Sequence, residues 1–178
     1  MRPIKDYRGK TLKWVRPKIL HRHYELRSEN DIYATLTWKG AFGSLAIGEC
    51  ADGKFSFKRG GFLHPYVTVR KMAFDTDYGK LQLDLGYNGV LQFIDGRTFQ
   101  FQKLSFWKMH WGFTDVGKKL LCTVKDTMKG GEVTIDTALR DSPHLAIIMI
   151  LGWYVMVLRK EEAAATGVAI VPMATSHR

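Results

Sequence analysis

Apolar and polar residues alternate with a period of two along most of the chain, from about Lys13 to Thr137. Strict alternation over four to eight residues is typical of half-buried β-strands. Turn sequences such as ADGK, KRGG, IDGR and KGGE separate the alternating runs. The pattern therefore predicts ten to twelve strands joined by hairpins, in a barrel or a sandwich. In the clearest run, DIYATLTW, the predicted apolar face comprises Ile32, Ala34, Leu36 and Trp38.

A different pattern follows in the segment HLAIIMILGWYVMVLRKEE, where residues 145–158 contain no ionisable side chain except one tyrosine. Ser142 is a candidate N-cap, and Pro143 would occupy the first helical position. Arg159 and the lysine after it carry the charge that stabilises a helix C-terminus. We therefore expect a helix over residues 143–160.

The expected helix is apolar on all sides, so it must be surrounded by protein or by lipid. Its apolar part spans about 21 Å, which is less than the roughly 30 Å of a bilayer's hydrocarbon core. The preceding strands also supply many apolar side chains that need a packing partner. We therefore favour a central helix inside the sheet. The alternative is a membrane-anchored protein that uses residues 144–158 as a short transmembrane or interfacial helix.

Five segments together suggest a known family: YATLTW, ADGKFSFKRGGFLHPYVTVR, LDLGYNGVLQFIDGRTFQF, FWKMHWGFTD and AIIMILGWYVMVL. With their order along about residues 11–160, the chain resembles the tubby C-terminal-like fold. The branch it resembles is the one shared by phospholipid scramblases and the plant LURP-one-related proteins. The resemblance implies a mostly β architecture, a roughly twelve-stranded closed β-barrel that encloses the C-terminal hydrophobic α-helix.

The same resemblance implies a binding function. Tubby proteins bind phosphoinositide head groups through Lys and Arg side chains on the barrel, and Lys58, Arg59, Arg70 and Lys71 are compatible with that role. This sequence lacks the proline-rich N-terminal region and the cysteine cluster of scramblases, and no scramblase-type calcium segment is recognisable. The resemblance therefore implies lipid or anion binding at these four residues, without scrambling activity.

The charge of the chain favours the same kind of partner. Its 27 Lys and Arg residues against 17 Asp and Glu residues give a formal net charge of +10, typical of proteins that bind membrane surfaces or nucleic acids. Much of the excess lies in residues 1–27, and the alternative interpretation is a solvated segment that keeps the protein soluble. We expect a basic N-terminal arm at residues 1–10, a barrel at 11–160 and a loosely ordered C-terminal tail at 161–178.

No motif in the sequence indicates a reaction. Nucleotide-binding glycine loops and the nucleophile elbow of hydrolases are absent. The HRH segment at 21–23 lacks a third metal ligand, and DTDYGK at 75–80 lacks the glycine of a calcium loop. We therefore predict a protein that is not an enzyme, with no metal site, no cofactor and no small-molecule substrate.

Aromatic residues are concentrated in the segment FWKMHWGFTD at 106–115. As a strand, this segment would have a core face and a polar outer side. The alternative is an exposed patch in which Trp107, His110 and Trp111 stack on bases or lie at a bilayer interface.

These patterns favour a non-enzymatic cytosolic β-barrel module that binds an anionic partner, with phospholipid head groups as the first candidate. Because the N-terminus lacks the apolar stretch of a secretory signal, we expect a cytoplasmic location, peripheral to a membrane. Cys50 and Cys122 are then expected to be buried, reduced thiols. The alternatives are the membrane-anchored protein described above and a nucleic-acid-binding module. The oligomeric state stays open.

Overall fold

The computed structural model describes residues 1–7, 11–73, 76–105, 109–127 and 130–167. Among these residues, twelve strands form one closed barrel in which every strand is antiparallel to its sequence neighbours, and the first pairs with the last. The predicted twelve-stranded closed β-barrel is therefore confirmed. The strands are β1 (Leu12–Val15), β2 (His23–Ser28), β3 (Asp31–Trp38), β4 (Ala46–Cys50), β5 (Gly53–Gly60), β6 (Tyr66–Lys71), β7 (Thr76–Leu83), β8 (Gly89–Phe93), β9 (Thr98–Lys103), β10 (His110–Thr114), β11 (Leu120–Thr127) and β12 (Gly130–Ile135).

Two helices follow the last strand, the short α1 (Thr137–Arg140) and the long α2 (Leu145–Ala165). The apolar run of α2, residues 145–158, is buried throughout and packs against β3, β4, β5, β10 and β11. The barrel therefore encloses this helix, as the sequence predicts. Within the described residues, no helix combines the length and the apolar character needed to cross a membrane.

The bounds of α2 differ from the prediction at both ends. The helix begins at Leu145, two residues late, because Ser142 caps a tight turn before it: the Ser142 Oγ accepts a hydrogen bond from the backbone N–H of His144 at 3.2 Å. At the other end the helix continues to Ala165 through an alanine-rich stretch with high helix propensity. Arg159 therefore lies inside the helix instead of at its C-terminus, and the first residues of the predicted tail are helical.

Strand β3 departs from the predicted alternation at its start. Tyr33 is buried and Ile32 only half-buried, the reverse of the expected pattern. The pairing of β3 with β2 steps from Leu26–Ala34 to Arg27–Ile32, so Tyr33 is the extra residue of a β-bulge. The bulge shifts the phase by one residue and turns the tyrosine inward.

The glycine pair at 130–131, predicted as a turn, begins strand β12 instead. A Cβ atom on Gly131 would lie 2.3 Å from the ring of Trp153, far inside van der Waals contact. Trp153 projects from α2 and stacks against Trp14 of β1, with 6.0 Å between ring centroids. Glycine is therefore required here because the helix approaches the wall too closely for any side chain.

The course of α2 distinguishes the two ends of the barrel. At the upper rim the helix leaves the barrel, and Glu161 forms an ion pair with Arg22 at 2.6 Å. At the lower rim the helix enters, and His144 contacts Asp95 at 2.9 Å. Because neighbouring strands are antiparallel, successive connections alternate between the rims. The upper-rim loops described in full are 16–22, 39–45, 61–65 and 84–88; the lower-rim connections described in full are 29–30, 51–52, 94–97, 115–119 and 136–144.

Candidate functional site

Three of the four basic residues predicted to bind an anion, Lys58, Arg59 and Arg70, line one groove. Lys58 on β5 and Arg70 on β6 are both exposed, and they line a groove of about 350 Å³ on the outer wall of the barrel. Lys58 is directly opposite Thr68, and Arg70 is opposite Ser56, so the two cationic residues are diagonal neighbours across the strand pair. We call this surface the outer groove; its other lining residues include Leu45 and Tyr66.

Arg59 and Lys71 lie in register with buried residues, because side chains alternate between the two faces of a strand. Arg59 is paired with the buried Val67 at the upper rim, where its guanidinium forms an ion pair with Glu162 of α2. Lys71 is paired with the buried Phe55 at the opposite end of β6. Each adjacent pair of cations in the sequence therefore places one residue on the outer wall and one at a rim. Arg59 borders the outer groove from the upper rim, whereas Lys71 is not among the residues that line it.

A further cation, which the sequence analysis missed, lies beside the outer groove. Lys80 of β7 is opposite Thr68, on the side away from Lys58, so the two lysines flank the same threonine. At the usual strand spacing their Cα atoms are about 10 Å apart. The Lys80 ammonium lies 4.3 Å from the centroid of the Tyr66 ring, and the Arg70 Nε donates to Asp77 at 2.7 Å. Only the strand order reveals this grouping.

The upper rim holds a second group of charges, most of which bind the helix. Arg22 donates to both carboxylate oxygens of Glu161 and lies 4.8 Å from the centroid of the Trp38 ring. The hydroxyl of Tyr87 donates to Glu162, the same carboxylate that pairs with Arg59. These cations are therefore engaged in attaching the end of α2 to the wall.

The predicted aromatic patch does not form as an exposed surface at Trp111. This side chain is 1% exposed and stacks on Phe101, with 5.3 Å between ring centroids. His110 is half-buried at the first position of β10, and Trp107 lies outside the described residues. The core interpretation of this segment is therefore correct for Trp111, because β10 turns that side chain toward the helix.

The lower rim contains a polar cluster that no spacing in the sequence indicates. His144, at the start of α2, is buried and stacks on Phe93, with 3.8 Å between ring centroids. Its Nε2 lies 2.9 Å from Asp95, and its Nδ1 lies 3.1 Å from the Tyr78 hydroxyl. The three polar residues come from positions 78, 95 and 144, so only the tertiary structure brings them together.

The protonation of this cluster follows from its surroundings. The backbone N–H of Arg97 and the His144 ring hold the pKa of Asp95 below its usual range, so the carboxylate is ionised and only accepts hydrogen bonds. The imidazole Nε2–H therefore donates to Asp95, and Nδ1 accepts from Tyr78. Burial lowers the pKa of His144 despite the opposing effect of the carboxylate. The result is a neutral, oriented imidazole that closes the lower rim.

The two cysteines lie inside the barrel wall, away from solvent. Cys50 and Cys122 are free thiols and both are buried, as predicted. Burial raises the pKa of Cys122 to about 12, which keeps it protonated. In the part of the chain that the structure describes, no three His, Cys, Asp or Glu side chains are grouped as a metal site.

No family model, curated protein or solved structure matches this chain. The resemblance to the tubby C-terminal-like fold therefore stays a prediction.

Proposed function

We propose that this protein is a non-enzymatic module that binds anionic phospholipid head groups at a membrane surface through the outer groove. The observation that carries the proposal is the placement of Lys58 and Lys80 on either side of Thr68. Two ammonium groups and a hydroxyl donor suit the oxygens of a phosphate, and the Arg70 guanidinium lies one diagonal step away.

The interior of the barrel supports a surface site over an enclosed one. All side chains of α2 from residue 145 to 158 are buried against the strands, so the helix occupies the space that a carrier protein would use for its ligand. A ligand therefore has to bind on the outside. The outer groove has the volume for a phosphate group and opens to solvent.

The neighbourhood of the groove favours lipid over nucleic acid. Leu45 lines the groove toward the upper rim and is itself 40% exposed. An apolar border suits a head group whose acyl chains lie in a bilayer. A nucleic acid backbone would instead be bound by cations that continue along a track.

Vesicle flotation tests the proposal. We expect the full-length protein to float with vesicles that contain about a third anionic lipid, to remain unbound with neutral phosphatidylcholine vesicles, and to lose binding as salt rises. Replacing Lys58→Gln and Lys80→Gln together should lower the partition coefficient roughly 10- to 30-fold, because each basic residue near such a surface contributes about 1 kcal/mol.

The matched control removes two charges elsewhere. Lys13 of β1 and Lys118 are exposed, and three strands separate β1 from β5, so Lys13→Gln with Lys118→Gln should change binding less than about threefold, because at about 4.8 Å per strand Lys13 lies beyond the screening length of about 8 Å from the groove. Equal losses in the two double variants would contradict a site at the groove. Equal binding to neutral vesicles, or binding to a short RNA but to no vesicle, would contradict the function itself.

A further inference from the structure

Strongly exposed apolar side chains are concentrated at the upper rim. Among the described residues of its loops, six large apolar side chains are between 72% and 95% exposed. At the lower rim, only Ile94 and Val116 reach comparable exposure within the described residues. A cluster of this kind on a folded protein marks an interaction surface. The six are Ile19, Leu20, Phe42, Phe62, Leu63 and Leu85.

The topology places these side chains along one arc. They belong to the loops 16–22, 39–45, 61–65 and 84–88, which connect four successive strand pairs from β1 to β8. Successive hairpins of a closed meander are neighbours in space, so the four loops stand side by side on the same rim. Each loop carries one or two apolar side chains that no other element of the described chain covers.

The upper rim also has the larger excess of cations over carboxylates. The four upper-rim loops carry Arg16, Lys18 and Lys39, besides the Arg22 that pairs with Glu161 of α2, against one carboxylate, Asp84. The lower-rim connections described in full, together with residues 1–7, which Arg2 joins to Asp31, carry seven Asp and Glu residues against six Lys and Arg. Apolar tips interspersed with cations match an anionic bilayer, where apolar groups enter the acyl boundary and cations meet the phosphates.

We propose that the barrel docks end-on against an anionic bilayer, with the upper rim inserted to the level of the head groups. This inference rests on the function proposed above and adds the orientation and the inserted residues. Leu45, which lines the outer groove, is the last residue of the upper-rim loop 39–45, so the groove adjoins the loops that would enter the bilayer, and Lys58 could hold a head group of that bilayer. The lower rim, with its carboxylates and the buried His144 cluster, faces away from the membrane.

Serine substitutions test the insertion. Phe42 and Phe62 are almost fully exposed, so Phe42→Ser with Phe62→Ser should leave the fold intact and lower the partition coefficient for anionic vesicles roughly tenfold or more. The matched control, Ile94→Ser with Val116→Ser at the lower rim, should change it less than about threefold. Comparable losses in both double variants would overturn the proposal.

Site-directed labelling tests the orientation. Because both native cysteines are buried, an environment-sensitive fluorophore can be attached selectively to the variants Phe62→Cys and Val116→Cys. We expect nitroxide lipids with a shallow spin label to quench the label at position 62 and to leave the label at position 116 unquenched. Equal quenching of both labels, or quenching at 116 alone, would overturn the end-on orientation.

The outcomes separate this inference from the function on which it rests. If the unmodified protein fails to bind anionic vesicles, the proposed function fails. If it binds them, and neither the serine variants nor the labels distinguish the rims, the function stands and the inserted upper rim is wrong. The Phe42→Ser, Phe62→Ser variant could also sediment differently from the unmodified protein while it binds vesicles equally well. That result would show that the apolar loops contact a second copy of the chain, and it would likewise overturn the proposal.

Discussion

At the lower rim α2 starts in a buried cluster, whereas at the upper rim it leaves the barrel between charged side chains. The His144 ring is enclosed, stacked on Phe93 and hydrogen-bonded on both nitrogens. The last turns of the helix instead form ion pairs with partly exposed partners, such as Lys160 with Asp126 at 2.9 Å. One end is therefore held by packing and the other mainly by electrostatics.

This difference between the rims indicates which end of the barrel stabilises the fold and which end is suited to binding. Buried contacts are little affected by salt, while exposed ion pairs contribute about 0–1 kcal/mol each and weaken as salt rises. The lower rim therefore stabilises the fold. The upper rim, where the attachments of the helix are weaker and the loops expose apolar side chains, is the end at which binding would disturb the fold least.

The largest expected effect comes from removing α2, which is held at both rims. A variant that lacks residues 141–178 loses α2, whose burial contributes on the order of 18–36 kcal/mol before chain entropy is subtracted, more than the usual net stability of about 5–15 kcal/mol. We expect no cooperative thermal transition by near-ultraviolet circular dichroism. A variant that ends at Gly167 keeps the described contacts of α2 and should melt like the full chain. A cooperative transition in the shorter variant would contradict the role of the helix as the core.

The next largest effect compares one helix residue from each rim. His144→Ala removes the stack on Phe93 and leaves the Tyr78 hydroxyl without its partner, so we expect the free energy of unfolding in urea to fall by about 2–4 kcal/mol. At the upper rim, Lys160→Gln removes an exposed ion pair and should cost no more than about 1 kcal/mol. Equal losses from the two substitutions would remove the distinction between the rims.

The smallest expected effect is a pH dependence that arises at the lower rim. Because burial lowers the pKa of folded His144 from 6.5, the unfolded chain binds the proton first. The stability that the neutral imidazole contributes is complete above pH 6.5 and is lost as the pH falls through the lower, folded pKa. The loss amounts to about 1.4 kcal/mol for each unit by which the folded pKa lies below the unfolded pKa. The pKa of Asp95 is also lowered, but its contribution is lost only below about 3.8.

Urea titrations between pH 7.5 and 5 measure this dependence. Over that range the full-length protein should lose more stability than the His144→Ala variant, which retains every other titrating group. If the free energy of unfolding changed with pH to the same extent in both proteins, the imidazole would not be held neutral by its surroundings.

Most of the architecture was predictable because it depends on local pattern. Alternation with a period of two identifies a half-buried strand, and a continuous apolar run too short for a bilayer identifies an enclosed helix. The exceptions arose where strand pairing or the packing of the helix against the barrel overrode the local sequence pattern. The bulge turns Tyr33 inward, and Trp153 presses against Gly131, where the sequence suggests a turn.

The candidate site was only partly predictable. Lys58, Arg59 and Arg70 were identified from the sequence and line the outer groove, although Arg59 also pairs with Glu162 at the upper rim, and Lys71 lies at the opposite end of β6. Lys80 was missed because its position opposite Thr68 follows from strand order and register, which adjacent residue types do not specify.

By itself, the sequence determined a series of half-buried strands and a hydrophobic helix that they enclose, because strand side chains alternate with a period of two and the helix is apolar on all sides. The alternation alone was compatible with a barrel or a sandwich. Tertiary structure alone decided which cations share a face, that His144 meets Asp95 and Tyr78, and that the exposed apolar loops share one rim. These features depend on distances between residues far apart in the chain. Such distances are set only when the barrel closes.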